Sequence, residues 1–231
     1  MSFDLKGFTN SLEEIDFPFY EFLTPNEIQE IKQHSNIVNF QKHDIIFRQQ
    51  TRTSHIMYLK SGLVKIFKEG RMGKTVILNL DTSDKFIGLM SVFGKDIHEY
   101  SAAAVENTEI LFIDIGVFRS IIQTNGGFAQ RLINQLSTQG LYIYSRLMAQ
   151  THKQLPGRMA DVLLYFSETI YKDLRFSFPL TRRELAELAG TTKESFIRTL
   201  TEFKNDKIIE LSGSEVEIKS LKIVKTLSEL G

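Results

Sequence analysis

The sequence predicts an α+β fold: a β-rich N-terminal half, then one long helix, then a C-terminal helix-turn-helix. Three observations support this order. Short apolar segments broken by turns run from Ile37 to about Ile115. A helical period without proline extends from Phe128 to about Lys153. The segment LTRRELAELAGTTKESFIRTLTEFKNDKIIE, residues 180–210, has the signals of two capped helices joined at a glycine.

The composition is that of an ordinary globular protein, and it excludes all chemistry that depends on cysteine. The 231-residue chain is 42% apolar and 24% charged, with a formal net charge of zero. Because it has no cysteine, it offers no disulfide, no thiolate metal ligand and no cysteine nucleophile. No apolar run has the length of a membrane span, and the first residues, MSFDLKGFTNSLEEID, are acidic rather than signal-like. We expect a cytoplasmic protein with no membrane partner.

The N-terminal half has the pattern of a jelly roll or cupin-like barrel. Phe, Ile, Val and Tyr are frequent, and apolar residues alternate with polar ones in residues 63–68. A short helical signal at Thr24-Pro25-Asn26-Glu27, leading into Ile28 and Ile31, comes first, and Gly70-Arg71-Met72-Gly73 is expected to be a hairpin turn. The candidate strands are 37–40, 44–49, 55–62, 63–70, 75–80 and 108–114. Many short strands at regular spacing are typical of such barrels.

The helix from Phe128 to about Lys153 is longer than a small domain needs. About 25 residues at 1.5 Å each span roughly 37 Å. Its apolar residues, at three-and-four spacing, are Ala129, Leu132, Leu136, Ile143 and Leu147. A packed helix within one chain is one interpretation, and we favour the seam of a homodimeric coiled coil. Asn125-Gly126-Gly127 is expected to interrupt the chain before this helix, and Leu155-Pro156-Gly157 after it, as a hinge. A further helix is expected over residues 158–171.

Residues 180–210 carry the most informative pattern in the chain. Thr181 and Glu184 have the spacing of a capping box, Gly190 can end the first helix in the left-handed conformation, and Thr191 or Thr192 can cap the second. The small residue Ala186, the turn residue Gly190 and the apolar Phe196 are spaced as a helix-turn-helix requires. The following segment LSGSEVEIKS, residues 211–220, predicts the β-hairpin of a winged helix.

The start of the second helix leaves Lys193, Glu194, Ser195 and Arg198 exposed. Arg198 can donate two hydrogen bonds to guanine O6 and N7, and Glu194 can accept one from cytosine N4. The hydroxyl groups of Thr181, Thr192 and Ser195 can bind phosphates together with the helix N-terminal amides. Glu194 and Arg198 alone would be consistent with a surface ion pair four residues apart. The spacing around them favours DNA binding.

These residues resemble the DNA-binding domain of the cAMP receptor protein/FNR superfamily of bacterial transcription regulators. The pattern T-R-x-E-(L/I)-(A/G)…G-(T/C)-(T/S)-(K/R)-E-(S/T)-x-x-R is present, and Gly157-Arg158-Met159-Ala160 is similar to the family's G-R-I-A. The resemblance covers nearly the whole chain. It implies a double-stranded β-helix sensor domain over residues 1–124, a dimerisation helix and hinge over 125–155, and a winged helix-turn-helix over 156–231. The sensor would be a cupin-like jelly roll of the cyclic-nucleotide-binding type.

The resemblance also implies roles for individual residues of the second domain. Glu194 and Arg198 match base-contacting residues of the family, and Lys193 replaces an arginine that is common there. The predicted DNA-binding residues are Thr181, Arg182, Thr192, Lys193, Glu194, Ser195 and Arg198. The expected partners are a near-palindromic double-stranded operator and a second copy of the chain, with RNA polymerase a further candidate.

The stretch FIGLMSVFGKDIHEYSAAA, residues 86–104, lies where this family binds cyclic nucleotides, but it lacks the charged anchors. Leu89 replaces the glutamate of cAMP-binding members, Tyr100-Ser101 replaces their Arg-Ser pair, and Ile143-Tyr144 replaces their Thr-Ser. Loss of the charged hydrogen bonds weakens binding by about 1.5–3 kcal/mol each, so we do not expect a cAMP sensor.

An effector pocket, if one is present, would be more apolar than that of cAMP-binding members. Its predicted residues are Gly88, Leu89, Met90, Tyr100, Ser101, Ile143 and Tyr144. A lipid-like or aromatic effector suits them, filling by the chain's own side chains is as plausible, and haem is a third alternative. The five histidines show no ligand spacing.

The leading hypothesis is a homodimeric, sequence-specific transcriptional regulator, modulated by an unknown small molecule other than cAMP. No catalytic residue, metal or cofactor is expected. One alternative is a cupin-type metalloenzyme, which needs clustered histidines and carboxylates, whereas His98-Glu99 is the only adjacent pair. Another alternative is a nucleotide-binding regulatory module for a protein partner, and the missing anchors argue against it.

Overall fold

The computed structural model describes residues 20–70 and 73–231, which form two compact units. The first comprises the described residues up to Ile66 together with Leu80–Gln139, and the second comprises the described residues of 67–79 together with Gly140–Gly231. The strands are β1 (Ser35–Phe40), β2 (Ile45–Phe47), β3 (His55–Ser61), β4 (Leu63–Glu69), β5 (Thr75–Thr82), β6 (Lys85–Ile87), β7 (Ser101–Ala104), β8 (Thr108–Asp114), β9 (Arg175–Ser177), β10 (Ile209–Ser212) and β11 (Glu215–Ile218). The helices are α1 (Pro25–Gln33), α2 (Leu89–Phe93), α3 (Ile115–Thr124), α4 (Gly126–His152), α5 (Leu155–Leu164), α6 (Arg182–Ala189), α7 (Lys193–Asn205) and α8 (Leu221–Leu230).

Two four-stranded sheets form the predicted jelly roll, and that part of the fold class is confirmed. One sheet has the strand order β1-β8-β3-β6 and the other β2-β7-β4-β5. Strand β8 pairs antiparallel with both β1 and β3, so it lies in the middle of its sheet. All six strands predicted from the sequence are present. The predicted hairpin turn includes Arg71 and Met72, which lie outside the described residues, as does the acidic segment before Tyr20.

The sequence did not predict the strands β6 and β7. Strand β6 has only three residues, too few to show an alternating pattern. Strand β7 has the sequence SAAA, and all four of its residues are buried. Alanine has a low intrinsic preference for strands, so the neighbouring strands rather than local propensity determine this element.

One face of the β1-β8-β3-β6 sheet is covered by helices, and aromatic rings fill the space between them. Phe118 of α3 is fully buried and meets Phe86 edge to face at 5.2 Å and Phe128 of α4 at 5.7 Å between ring centroids. Leu132 and Leu136 of α4 pack against the same cluster. The N-terminal part of the predicted dimer stripe therefore belongs to the core of the single chain, which corrects that prediction.

Two boundaries of the helical region differ from the predicted ones. The break before α4 is Asn125 alone, and Gly126 already lies in the helix. The side-chain oxygen of Asn125 accepts a hydrogen bond from the Phe128 amide at 2.9 Å, as a helix-capping residue does. After α4, only residues 153–154 are non-helical, because Pro156 fits in the first turn of α5.

The second unit contains the predicted winged helix-turn-helix. Helices α6 and α7 carry the motif, and the hairpin β10–β11 joins β9 in a three-stranded sheet of order β10-β11-β9. The helix predicted over 158–171 is in fact α5 followed by a π-helical turn at Tyr165–Ile170. Helix α8 ends the chain and packs against α5. Within the described part of the chain, no helix combines the length and apolar content needed to cross a membrane.

The aromatic cluster predicts a large stability cost at Phe118 and a small one at a matched exposed phenylalanine. Phe118→Ala empties a fully buried site and should lower the free energy of unfolding by about 3–5 kcal/mol. Phe93→Ala, at a site that is 45% exposed, should cost no more than about 1 kcal/mol. Urea unfolding followed by circular dichroism measures both values, and equal losses would contradict this description of the core.

Candidate nucleic-acid interface

Both helices of the motif begin with the caps that the sequence predicts. The Thr181 amide donates to the Glu184 carboxylate at 2.8 Å, and the Thr181 hydroxyl accepts from the Glu184 amide at 3.3 Å. Thr192, rather than Thr191, caps α7, since its hydroxyl accepts from the Ser195 amide at 3.2 Å. These caps satisfy amides that a helix N-terminus otherwise leaves without a partner. The start of α7 is thereby fixed at Lys193.

The turn between α6 and α7 depends on Gly190. Its φ of 66° and ψ of 43° place it in the left-handed region, where a side chain would be strained. On either side of this turn the anchors are buried: Ala186 on α6 and Phe196 on α7. Thr199, Leu200 and Phe203 continue the buried face of α7. Because that face points inward, the opposite face of α7 is left for solvent.

The outer face of α7 presents charged groups with no partner among the described residues. Lys193, Glu194 and Arg198 are exposed, and none of them makes an ion pair with residues 20–70 or 73–231. Glu194 and Arg198 therefore do not pair with each other, although they are four residues apart. Ser195 is half-buried, and its hydroxyl accepts a hydrogen bond from the Thr192 hydroxyl at 3.1 Å. The charged groups are free to bind an external partner.

The sequence prediction overlooked Ile197, which lies on this same outer face. Its side chain is 41% exposed, and it lies between Glu194 and Arg198 in sequence. Apolar residues in a helix-turn-helix normally suggest the core, and Phe196 next to it is indeed buried. The helical period would have identified Ile197, since it follows Lys193 by four residues, one helical turn.

Arg182 is committed to a contact inside the domain. Its guanidinium group donates a hydrogen bond to the Gly213 carbonyl in the turn of the β10–β11 hairpin. The same group lies over the Phe178 ring, 5.4 Å from its centroid. Partial burial lowers the pKa of Arg182 from its usual value. Arg182 was predicted as a DNA-binding residue, and the structure shows that it links α6 to the wing.

Two arginines hold the C-terminal end of α6 in place. Arg146 of α4 donates to the Leu188 carbonyl through Nη2, and to the Ile77 and Leu78 carbonyls through Nη1 at 3.0 and 2.9 Å. Arg158 of α5 donates to the Ala189 carbonyl at 3.1 Å. The last carbonyls of a helix carry partial negative charge and lack helical partners, so guanidinium donors suit them. Side chains of α4 and α5, which lie outside the helix-turn-helix, thus hold the motif in its orientation.

The resemblance at Gly157 has a steric basis in the structure. A Cβ atom at this position would lie 2.8 Å from the Gly231 Cα and 3.0 Å from the Leu227 carbonyl oxygen. Any side chain would therefore push away the end of α8. Nearby, the Lys153 ammonium group binds the Asp161 carboxylate at 2.7 Å, and the Ser228 hydroxyl donates to the same carboxylate at 2.5 Å.

The predicted effector residues are divided between the two units: Gly88, Leu89, Met90, Tyr100 and Ser101 belong to the first, and Ile143 and Tyr144 to the second. Leu89 is only 1% exposed and belongs to the hydrophobic cluster of the first unit. The Ser101 hydroxyl accepts from the Gln49 amide at 2.9 Å. Ile143 and Tyr144 are exposed and belong to the second unit. The side chain at the family's glutamate position is therefore part of the hydrophobic core.

Two titratable side chains of this stretch, His98 and Tyr100, are neutral. Gly88 caps α2, and a Cβ atom there would touch the His98 ring at 3.4 Å. His98 is buried, stacks on Phe47 at 3.9 Å between centroids, and has no hydrogen-bond partner at Nδ1 among the described residues. Burial lowers the pKa of His98 to about 4 and raises the pKa of Tyr100 to about 12. Both are uncharged at neutral pH.

The described residues contain no cluster that suits a metal ion. Across residues 20–70 and 73–231, no three His, Asp or Glu side chains are arranged so that they could hold one. His98 and Glu99, the adjacent pair noted in the sequence, differ in environment, since His98 is buried and Glu99 is exposed.

Comparison with known proteins identifies the family. The profile of the cyclic nucleotide-binding domain matches residues 37–125, and that of the Crp-like helix-turn-helix domain matches residues 157–225. A CRP-like cAMP-activated global transcriptional regulator from Mycobacterium tuberculosis is 23% identical over 203 residues, covering 86% of this chain and 91% of the relative. The chain belongs to the cAMP receptor protein/FNR superfamily and is a DNA-binding transcriptional regulator.

Solved structures show the same fold. FixK2 from Bradyrhizobium japonicum superposes with a TM-score of 0.77 at 16% identity, covering 84% of this chain and 96% of its own. The c-di-GMP-responsive global regulator CLP from Xanthomonas campestris superposes with a TM-score of 0.72 at 22% identity, covering 85% of this chain and 100% of its own. These likenesses confirm the predicted fold class, including the long helix and the C-terminal winged helix.

The arginine contacts at the end of α6 predict a specific loss on mutation. Arg146→Ala leaves three carbonyls without their donor, and two of them belong to the buried residues Ile77 and Leu188. We expect a loss of about 1–3 kcal/mol in the free energy of unfolding, because buried acceptors without partners are costly. Hydrogen exchange of the α6 and α7 amides should become faster.

Arg183→Ala is the matched control for this variant. Among the described residues, Arg183 forms an ion pair with Glu187 alone, at 3.1 Å, and its own side chain is 72% exposed; such pairs contribute about 1 kcal/mol or less. Similar losses for the two variants, or unchanged exchange rates in Arg146→Ala, would show that Arg146 does not hold α6.

Proposed function

We propose that this chain acts as a homodimer that recognises a near-palindromic operator through the exposed face of α7. The proposal rests on one observation: Glu194 and Arg198 are both exposed, and neither makes an ion pair with another described residue. A charged face on a helix that is capped at its start by Thr192 and anchored by the buried Phe196 is suited to enter the major groove.

The residues of this face have complementary tasks in the proposed complex. Arg198 reads a guanine through O6 and N7, and Glu194 accepts from cytosine N4. Lys193, Ser195 and Thr192 lie at the helix N-terminus, where side-chain donors and backbone amides favour a phosphate. Thr181 has the same position on α6. Arg182 supports the wing in this arrangement, although its remaining donors can also reach a phosphate.

The homodimer is supported by an apolar stripe on α4. The stripe consists of Ile133, Leu141, Tyr144, Leu147 and Met148, each more than half exposed in the single chain. Leu141, Tyr144 and Met148 follow one another at intervals of three and four residues, the spacing of a coiled-coil seam, and Ile133 and Leu147 add exposed apolar surface to the same helix. A second copy of the chain would cover this stripe, and two copies would present two α7 helices to half-sites about 34–36 Å apart.

The effector, in this proposal, is not cAMP. None of the seven predicted pocket residues carries a charge, and the Tyr100 phenol stays protonated because its pKa is about 12. A cyclic phosphate would be buried there without a charged donor from them, which is unfavourable. The relative from Mycobacterium tuberculosis is cAMP-activated and CLP is c-di-GMP-responsive by name, so related folds serve different nucleotides. We place the regulator in the cytoplasm, with RNA polymerase as a candidate partner.

Selection of bound duplexes from a random DNA pool, with and without cAMP, tests this proposal. We expect an enriched site with two-fold symmetry that is the same in both arms. Enrichment only in the presence of cAMP would contradict the assignment of the pocket. An enriched site without symmetry would contradict the homodimer, and no enrichment in either arm would contradict autonomous operator recognition.

The contact between Arg198 and guanine predicts a base-specific loss. Arg198→Ala should weaken binding by about 1–3 kcal/mol and relax the preference at one guanine per half-site. Replacing that guanine by 7-deazaguanine, which lacks the N7 acceptor, should weaken the wild type but not the variant. Fluorescence anisotropy at fixed salt measures these affinities.

Lys193→Ala provides the matched control for base specificity. It removes a charge at the same helix end, and it should weaken all duplexes equally because a phosphate contact carries no base information. If Arg198→Ala keeps the guanine preference, the assignment of this residue is wrong.

A further inference from the structure

Ile197 interrupts the polar outer face of α7 with an apolar side chain. Its neighbours on that face, Lys193, Glu194 and Arg198, are all charged and exposed. The buried face of the helix is formed by other residues, and Ile197 is 41% exposed. Single exposed apolar residues are common on protein surfaces, so exposure alone carries no conclusion. Ile197 is informative because it lies among the residues that we propose to read bases.

An isoleucine at this position can make only one kind of favourable contact in the major groove. The edges of guanine, adenine and cytosine present hydrogen-bond donors and acceptors, whereas thymine also presents its C5-methyl group. Isoleucine has no donor or acceptor, so against a polar edge it would displace water without replacing the lost hydrogen bonds. Against a methyl group it buries apolar surface on both sides. The side chain therefore favours thymine.

The polar residue one turn after Ile197 does not compete with it for a base, because its hydroxyl is already bonded within the helix. The Thr201 hydroxyl, one turn further along α7, donates to the Ile197 carbonyl at 2.8 Å, within the helix itself. Arg198 is adjacent in sequence, so Ile197 and Arg198 approach the groove at nearly the same depth along the helix axis, 1.5 Å apart in rise. The thymine should then lie one or two base pairs from the guanine that Arg198 reads.

We infer that Ile197 is a specificity-determining residue that recognises the C5-methyl group of a thymine in each half-site. This inference rests on the proposed function, and it adds a base to the operator that the charged residues alone would not define. Its signature differs from theirs: it depends on one methyl group and involves no charge, so it should change little with salt concentration.

The test replaces each thymine of the selected duplex by uracil, which removes only the C5-methyl group. For the wild type, we expect one position per half-site where uracil weakens binding about three- to tenfold when both half-sites are changed, from the apolar surface lost. The variant Ile197→Ala should bind the thymine and uracil duplexes equally well. Ile223→Ala is the matched control, since Ile223 is 44% exposed on α8, and it should behave as the wild type.

The outcomes separate this inference from the proposed function. If the wild type binds its operator but no uracil substitution matters, or if Ile197→Ala remains as sensitive to uracil as the wild type, Ile197 does not read a methyl group. The proposed function would then stand on Glu194 and Arg198. If the wild type prefers no duplex to random DNA, the proposed function fails, and the inference fails with it.

Discussion

The hydrogen bonds from Arg146 and Arg158 to the last carbonyls of α6 are the constraint on which the exposed face of α7 depends. They fix the end of α6 at Leu188 and Ala189, immediately before the turn at Gly190. That turn has one left-handed residue and then a capped start for α7, so little conformational freedom remains between the two helices. The direction in which α7 points is therefore decided by donors on α4 and α5, and the charged residues of α7 need no partners within the described chain to stay in place.

The outer face of α7 is available because other side chains make the structural contacts of the motif. Caps made by Thr181 and Thr192 satisfy the helix N-termini with local side chains, and Phe196 fills the core between the helices. Arg182 is used to attach the wing. Glu194 and Arg198, in contrast, make no ion pair with the described residues. If they read bases as we propose, the residues that hold the fold and the residues that read DNA are separate, and the base preference can change without loss of the fold.

Local signals allowed most of the helix-turn-helix to be predicted, because capping boxes, the glycine turn and the spacing of Ala186 and Phe196 are all short-range features. The sequence could not show Arg146 as the partner of Leu188, since that contact joins residues 42 positions apart. It also misassigned Leu132, whose helical spacing suits a dimer seam and a protein core equally well. At position 89 the sequence showed that leucine replaces the family's glutamate, but only the structure showed that this leucine is packed in the core.

The central claim is that the exposed face of α7 reads base edges, and a crystal structure of the protein bound to its selected duplex tests it most directly. We expect α7 in the major groove of each half-site, with the Arg198 guanidinium group within hydrogen-bonding distance of guanine O6 and N7. A complex in which α7 touches only phosphates, or in which Glu194 and Arg198 face solvent, would contradict this claim.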